Sequence, residues 1–139
     1  LGTDISDAAV AAASRGRYTA AELGRGVSPE RLAAHFVRDG EAFRVRDELR
    51  ALASFRRLNL HEDFSRLGAW DIVFCRNIAI YFSDEAKKSL FDRMGRVLAR
   101  DGCLVIGSTE SLVGLCPQYE PRRYLRAVYY QMKERGPVR

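Results

Sequence analysis

The sequence predicts an α/β fold whose central strands are parallel. Residues 72–75 form a short apolar run that is followed by the polar pair Arg76–Asn77. Such a run is typical of a strand buried on both faces of a parallel sheet. Ser83 then offers a helix cap, and apolar residues recur at helical spacing from 84 to about 100. A second apolar run at 103–107 completes a predicted strand–helix–strand unit.

The elements at the two ends of the chain are predicted from local signals. Residues 1–4 have the pattern of the end of a strand, and Ser6 is a suitable N-cap for an alanine-rich helix over Asp7–Arg15. Gly16 is placed to end that helix, and Gly102 is placed to end the later one. The last strands are predicted as a closing pair, at 119–120 and 124–132.

The middle of the chain departs from this alternation. Residues 18–27 contain two glycines and are predicted to be a loop, and Pro29 predicts the start of a short helix. Apolar and arginine residues alternate over 43–50, and a further apolar run follows at 55–60. These two runs predict the strands of a small antiparallel hairpin. We interpret residues 18–55 as an inserted β-subdomain, which offers either a partner-docking surface or a solvated face.

The composition limits the classes of protein to which this chain can belong. The chain has 139 residues, with 47% hydrophobic and 29% charged residues, as in an ordinary soluble domain. No apolar run approaches the roughly 20 residues of a membrane helix, so no membrane insertion is expected. Cys75, Cys103 and Cys116 are widely spaced, which favours a cytoplasmic location. His35 and His61 lack ligand neighbours, so no metal site is expected.

The basic charge is concentrated at the end of the chain. The net charge is +5, and Glu134 is the only acidic residue after position 121, among six basic ones. Such a tail suits an acidic partner, nucleic acid or simple solvation. A nucleic-acid role predicts an affinity that falls steeply with salt. No basic motif interleaved with aromatic residues supports that role.

Polar residues at the predicted strand ends are the candidates for chemistry, because ligands of open α/β sheets bind beyond the carboxyl ends of the strands. Arg76, Asn77 and Tyr81 follow the central strand. Asp4 ends the first strand, and either accepts hydrogen bonds from ribose hydroxyls or serves as a turn residue. The amide of Asn59 is able to pair with an adenine edge.

Several strings together carry a family resemblance: LGTDIS at 1–6, FRVRDEL at 43–49, RLNL at 57–60, FCRNIAIYF at 74–82 and GSTES at 107–111. The chain from residue 1 to about 132 resembles the chemotaxis receptor methyltransferases of the CheR family. The resemblance implies a Rossmann-like class I methyltransferase sheet, with a small antiparallel β-subdomain inserted. The first strand of that sheet and its glycine loop are missing from 1–139, which would be the C-terminal part of the methyltransferase domain.

Members of this family transfer a methyl group from S-adenosyl-L-methionine to glutamate side chains on the cytoplasmic helices of chemoreceptors, and release S-adenosyl-L-homocysteine. The resemblance implies the following roles: Asp4 holds the ribose, Asn59 and Leu60 flank the adenine, Arg76 and Asn77 lie along the cosubstrate, and Tyr81 lies near the methyl group. No metal is implied.

The reaction needs alignment rather than acid–base groups, because the glutamate is already ionised. Tyr81 would orient the incoming carboxylate, or simply pack at the strand end. Arg76 would offset the negative charge of that carboxylate or stiffen the loop, or form a salt bridge to a nearby acid such as Glu110.

Three departures from the family pattern qualify these expectations. Residues 37–40 lack a glycine-containing insertion, which argues against docking of a receptor tail peptide. Ser108 stands where the family usually has histidine, and the effect of this change is left open. The missing glycine loop leads us to expect that this chain alone does not bind the cosubstrate. The alternative function is a non-catalytic α/β docking or signalling module that keeps the fold.

Overall fold

The structure is a computed structural model that describes residues 1–133, and its architecture is mixed α/β. Two compact units make up the chain, Leu1–Asn59 and Leu60–Arg139. The end of the predicted basic tail, from Glu134 to Arg139, lies outside the described residues.

The first unit contains two small sheets. Strand β1 pairs in parallel with β5, and β2, β4 and β3 form an antiparallel sheet in that order. Its elements are β1 (Gly2–Asp4), α1 (Asp7–Arg15), β2 (Arg17–Tyr18), α2 (Ala20–Leu23), α3 (Pro29–His35), β3 (Phe36–Asp39), β4 (Ala42–Val45), α4 (Asp47–Arg50) and β5 (Phe55–Arg57).

Helix α1 has the bounds that its sequence predicts. The Ser6 hydroxyl accepts a hydrogen bond from the Ala9 N–H at 3.3 Å. Gly16 takes the left-handed conformation, with φ of 61°, and its N–H donates to the carbonyls of Ala12 and Ala13. Both ends of the helix are therefore satisfied by neighbouring residues, and the prediction is confirmed. The start of α3 at Pro29 is confirmed in the same way, with Ser28 as its cap.

The predicted loop at 18–27 is wrong, because it contains the short helix α2. The Thr19 side chain accepts a hydrogen bond from the Glu22 N–H, and the Glu22 carboxylate accepts one from the Thr19 N–H at 2.7 Å. This reciprocal capping box satisfies two donors that a four-residue helix would otherwise leave open. Gly24 comes only after the helix, as its C-cap.

The predicted hairpin of 43–50 with 55–60 is also wrong. The hairpin is formed by β3 and β4, with Phe36 opposite Val45, and Gly40 supplies the turn with φ of 62°. Leu49 lies in α4, and β5 instead pairs with β1, Gly2 opposite Phe55. The subdomain boundaries at 18–55 stay a prediction.

The second unit contains a four-stranded sheet in the order β6-β7-β9-β8. Strands β6 and β7 are parallel, and the other two pairings are antiparallel. The elements are the 3₁₀ turn Ser65–Leu67, β6 (Trp70–Cys75), the 3₁₀ turn Ala79–Tyr81, α5 (Asp84–Val97), β7 (Leu98–Ile106), β8 (Tyr119–Tyr124) and β9 (Ala127–Met132). The predicted strand–helix–strand unit and the closing pair of strands are confirmed.

The predicted boundary between α5 and β7 is wrong. The helix ends at Val97, and Gly102 lies inside β7 instead of ending the helix. A Cβ atom at Gly102 would lie 2.7 Å from the Trp70 carbonyl oxygen. Glycine is therefore required here for the close approach of β6 and β7, beside the irregular register between Trp70 and Ile72.

The core of this unit takes its buried side chains mainly from α5, from β7 and from the loop that follows β7. Its buried side chains include Leu90, Phe91, Met94, Leu104, Leu112 and Cys116. The expectation that residues 72–75 are buried on both faces is contradicted, since Ile72 is 54% exposed and Phe74 is 71% exposed. Ile72 and Phe74 are two residues apart and share one face of β6, and within residues 1–133 that face stays largely uncovered at these two positions. Cys75 is buried as predicted, whereas Cys103 is only half-buried.

No helix in residues 1–133 combines the length and the apolar character that spanning a membrane requires.

Candidate functional site

The carboxyl ends of β6 and β7 lie side by side, with Cys75 opposite Ile106. The carboxylate of Glu110 connects the two segments that follow these strands. Oε2 of Glu110 accepts hydrogen bonds from the backbone N–H of Asn77 at 2.9 Å and of Gly107 at 2.7 Å. We call this arrangement the Glu110 clip.

The clip holds a strained backbone. Asn77 has φ of 60°, a left-handed conformation that asparagine adopts more readily than most residues. A Cβ atom at Gly107 would lie 2.3 Å from Asn77 Oδ1 and 2.5 Å from Glu110 Oε2. A salt bridge to Glu110 was one of the alternatives for Arg76, but the Glu110 carboxylate instead accepts hydrogen bonds from two backbone N–H groups. Arg76 is exposed and forms no ion pair within residues 1–133.

Tyr81 ends the 3₁₀ turn Ala79–Tyr81, and its side chain is 82% exposed. The interpretation of Tyr81 as a packed aromatic is therefore wrong. Ser83 immediately afterwards caps α5, with its hydroxyl accepting from the Ala86 N–H at 3.3 Å. The rigid start of the helix thus fixes the backbone position from which the Tyr81 hydroxyl reaches solvent.

An open cavity of about 370 Å³ adjoins this segment. Its walls come from Ala79 and Ile80, from the first turns of α5, and from the loop 109–115. Glu110 lines it, and Glu110 Oε1 is buried with no hydrogen-bond partner in the described chain. Lys87, also in the lining, pairs with Asp84 at 3.2 Å. The cavity is therefore polar, with both signs of charge.

Leu60 is held to the same unit by its backbone. Its carbonyl oxygen accepts a hydrogen bond from Nη2 of Arg93 on α5, and the guanidinium of Arg93 lies 5.6 Å from the Phe64 ring centroid. The next residue, His61, contacts the Phe82 ring, with 4.7 Å between ring centroids. The structure thus brings the Leu60 segment beside the segment that carries Tyr81.

In the first unit, the structure brings Asp4 and Asn59 to one edge of the sheet. Asp4 lies opposite Arg57 in the β1–β5 register, and its carbonyl oxygen accepts from the Leu58 N–H at 2.9 Å. Asn59 follows directly and is half-buried. Asp4 Oδ1 accepts from the Ser6 N–H at 2.8 Å, so the turn role of Asp4 is present. Asp4 is exposed, and this turn uses only one of its two carboxylate oxygens.

Cys75 lies two residues before Asn77 of the clip, but the nucleophilic chemistry of its thiol is suppressed. Burial raises the pKa of the Cys75 thiol to about 11, and the negative charge of Glu110 acts in the same direction. At neutral pH the thiol is protonated, so a thiolate mechanism is disfavoured.

The family model described as "CheR methyltransferase, SAM binding domain" matches residues 1–124. The chain belongs to the CheR methyltransferase family.

Curated relatives agree with this membership. The chain is 39% identical over 132 residues to chemotaxis protein methyltransferase 1 of Vibrio cholerae, covering 94% of the chain and 48% of the relative. It is 37% identical over 134 residues to chemotaxis protein methyltransferase 1 of Pseudomonas aeruginosa, covering 96% and 49%. A chemotaxis protein methyltransferase of Listeria innocua is 32% identical over 113 residues, covering 81% and 42%. The chain thus spans about half the length of these relatives.

Sequence reasoning missed the clip. The sequence suggests Glu110 as an ion-pair partner of Arg76, whereas its carboxylate accepts hydrogen bonds from two backbone N–H groups. The signal in the sequence was the glycine that ends the strand with a carboxylate three residues later, Gly107 and Glu110. That spacing lets a side chain return to the end of its own strand.

Proposed function

We propose that this protein contributes the C-terminal part of an enzyme that transfers a methyl group from S-adenosyl-L-methionine to glutamate side chains of chemoreceptors. The observation that carries the proposal is the end of β6 in a CheR-family chain. There the strained Asn77 backbone is clipped by Glu110, and Tyr81 projects into solvent four residues later.

The residues present fit the cosubstrate by their chemistry. A ribose diol needs a carboxylate acceptor, and Asp4 has an oxygen that its own turn does not use. Asn59 offers the paired donor and acceptor of an amide to the adenine, with Leu60 beside it. Asn77 and Arg76 line the end of β6. The cosubstrate, when bound, supplies an electrophilic methyl group on a sulfonium.

This chain's own groups would act mainly by positioning. The accepting glutamate is ionised at neutral pH, so it needs no general base. The Tyr81 hydroxyl donates a hydrogen bond to that carboxylate and sets its angle of approach. The exposed Arg76 guanidinium attracts the same carboxylate. Correct alignment of the reacting atoms supplies a large part of such a rate enhancement.

We place the protein in the cytoplasm, where its three free cysteines would stay reduced. The proposed protein partner is the cytoplasmic helical region of a chemoreceptor. We do not include a receptor tail peptide, a nucleic acid or a metal ion in the proposal.

Calorimetric titration of S-adenosyl-L-homocysteine tests the proposal, on this chain and on the longest open reading frame that contains it. We expect binding by the longer form and none by the chain alone. Tight stoichiometric binding by the chain alone would refute the expectation about the missing loop. Binding by neither form would overturn the methyltransferase proposal and favour a non-catalytic docking module.

The role of Tyr81 is tested by Tyr81→Phe in the form that binds the cosubstrate. Loss of one hydrogen bond to a charged group should lower kcat/KM for a receptor substrate about tenfold to a hundredfold. Affinity for S-adenosyl-L-homocysteine should not change, because the hydroxyl contacts the accepting carboxylate. The matched control is Tyr18→Phe, which removes a hydroxyl from β2 and should leave kcat/KM unaltered. An unaltered rate for Tyr81→Phe would contradict the assigned role.

A further inference from the structure

The turn between β8 and β9 exposes apolar side chains. Tyr124 and Ala127 are the last paired residues, so the loop consists of Leu125 and Arg126 alone. Leu125 is 83% exposed and Tyr124 is 70% exposed. We call residues 122–126 the hairpin tip.

Leucine is a poor choice for the turn itself. Leu125 has φ of 51°, in the left-handed region that is unfavourable for residues with a Cβ atom and is adopted more readily by glycine or asparagine. Two-residue hairpin loops require such positive φ values and usually contain those residues. The turn geometry therefore does not explain Leu125, and neither does burial within the described chain. A contact made by its side chain outside the described residues would explain it.

The register of the sheet places the hairpin tip at the candidate site's edge. Strand β9 runs antiparallel to β7, with Leu104 opposite Tyr130. Continuing that register puts Ala127 opposite Gly107, the residue bound by the Glu110 clip. Strand β9 is two strands from β6, which corresponds to roughly 10 Å between strand axes. The tip thus projects from the same edge that carries Asn77.

The hairpin tip is also basic. Arg122 pairs with Glu120 at 3.0 Å, whereas Arg123 and Arg126 form no ion pair with any residue of the described range 1–133. Two unpaired guanidinium groups therefore flank the exposed Tyr124 and Leu125. A complementary partner presents acidic and apolar side chains together.

We propose that the hairpin tip docks an acidic, partly apolar segment of the methyl-accepting protein, adjacent to the glutamate that is modified. This inference rests on the proposed function and adds the surface that selects the substrate. One bound segment spans the short distance from the tip to the end of β6. Tyr124 and the two arginines suit either class of partner, but the aliphatic Leu125 offers no stacking face to a base and no donor to a phosphate, which favours a protein segment over nucleic acid.

Two substitutions test the docking surface separately from the reaction. Leu125→Gly removes the side chain and suits the positive φ, so the hairpin should stay folded. Arg126→Glu reverses one charge at the tip. The matched control is Arg100→Glu, which makes the same charge change at the exposed amino-terminal part of β7, at the opposite end of the strand from Gly107.

The assay is steady-state methyl transfer by the cosubstrate-binding form, with a helical peptide rich in glutamate, alanine and leucine as the acceptor. We expect KM to rise about tenfold for Leu125→Gly and about fivefold for Arg126→Glu. The kcat and the affinity for S-adenosyl-L-homocysteine should not change in either variant. Arg100→Glu should behave as the parent protein.

Other outcomes overturn the docking proposal. Unchanged KM in both tip variants would do so while leaving the methyltransferase proposal intact. Equal effects of Arg126→Glu and Arg100→Glu would show that net charge alone matters. Binding of a duplex oligonucleotide or of phosphatidylserine vesicles that is lost in the tip variants, with KM unchanged, would assign the tip to those partners. If no form binds S-adenosyl-L-homocysteine, fluorescence anisotropy of the same peptide still tests the tip.

Discussion

Removal of the Glu110 carboxylate is the perturbation with the clearest consequence for the second unit. In Glu110→Ala, the N–H groups of Asn77 and Gly107 both lose their acceptor. A hydrogen bond to a charged group contributes about 1.5–3 kcal/mol. Asn77 is exposed and its N–H regains water, whereas Gly107 is buried and its N–H does not. We therefore expect a loss of about 2–4 kcal/mol in the free energy of unfolding, less than two full contributions.

Glu110→Gln separates charge from geometry. Glutamine keeps one carbonyl oxygen that is able to accept both bonds, so only the additional strength of the charged acceptor is lost. The expected cost is about 1 kcal/mol. A larger cost for Glu110→Gln than for Glu110→Ala would mean that the amide cannot be accommodated beside the buried Oε1 position.

Urea unfolding followed by tryptophan fluorescence measures these effects. Trp70 is the only tryptophan and lies on β6, in the same unit as the clip. The control is Glu120→Ala, which removes a partly exposed carboxylate with one ion pair and should cost less than about 1 kcal/mol. If Glu110→Ala and Glu120→Ala agree within about 0.5 kcal/mol, the clip contributes nothing and our reasoning on the end of β6 is refuted.

Three further predictions concern the same unit. Gly107→Ala should lower the free energy of unfolding in the urea assay by about 1–3 kcal/mol, because its Cβ would overlap the Asn77 and Glu110 side chains. The control Gly26→Ala has open space around the new Cβ, so unfolding followed by circular dichroism should show no change in stability. The pKa of the Cys75 thiol is raised in the folded state, so its contribution to the free energy of unfolding is full below about pH 9 and is lost as the pH rises towards 11. This loss should be absent in Cys75→Ala. An identical pH dependence of stability in both proteins would contradict the prediction. Ser83→Ala removes the cap of α5 and should lower the unfolding free energy by about 1 kcal/mol, and no change would mean that water replaces the hydroxyl at no cost.

The parts of the fold that were predicted correctly depend on neighbouring residues. The bounds of α1 follow from Ser6 and Gly16, whose capping hydrogen bonds are made to residues of that helix. The start of α5 follows from Ser83 in the same way. The errors arose where the partner is distant in sequence. Strand β5 pairs with β1 across about fifty residues, and nothing in the local pattern of 55–57 identifies that partner.

The same distinction between local and distant contacts applies to the candidate site. Arg76, Asn77 and Tyr81 were singled out because they lie in the segment that follows a strand end. Their roles stay predictions, and all three residues are exposed. The Glu110 clip joins residues that are 33 positions apart and was not predicted. Gly102 was misassigned for the same reason, since its requirement for glycine comes from the Trp70 carbonyl oxygen on another strand.

The position of β6 affects how the chain must be handled in all of these measurements. An outer strand presents one row of backbone donors and acceptors, and here Ile72 and Phe74 stand exposed beside it. The extent of self-association through such a strand depends on the square of the protein concentration. Unfolding, and cosubstrate binding at a single site, depend on the protein concentration only to the first power. Dilution therefore suppresses the competing reaction selectively. Titrations repeated at several protein concentrations would separate a property of the monomer from one of its aggregates.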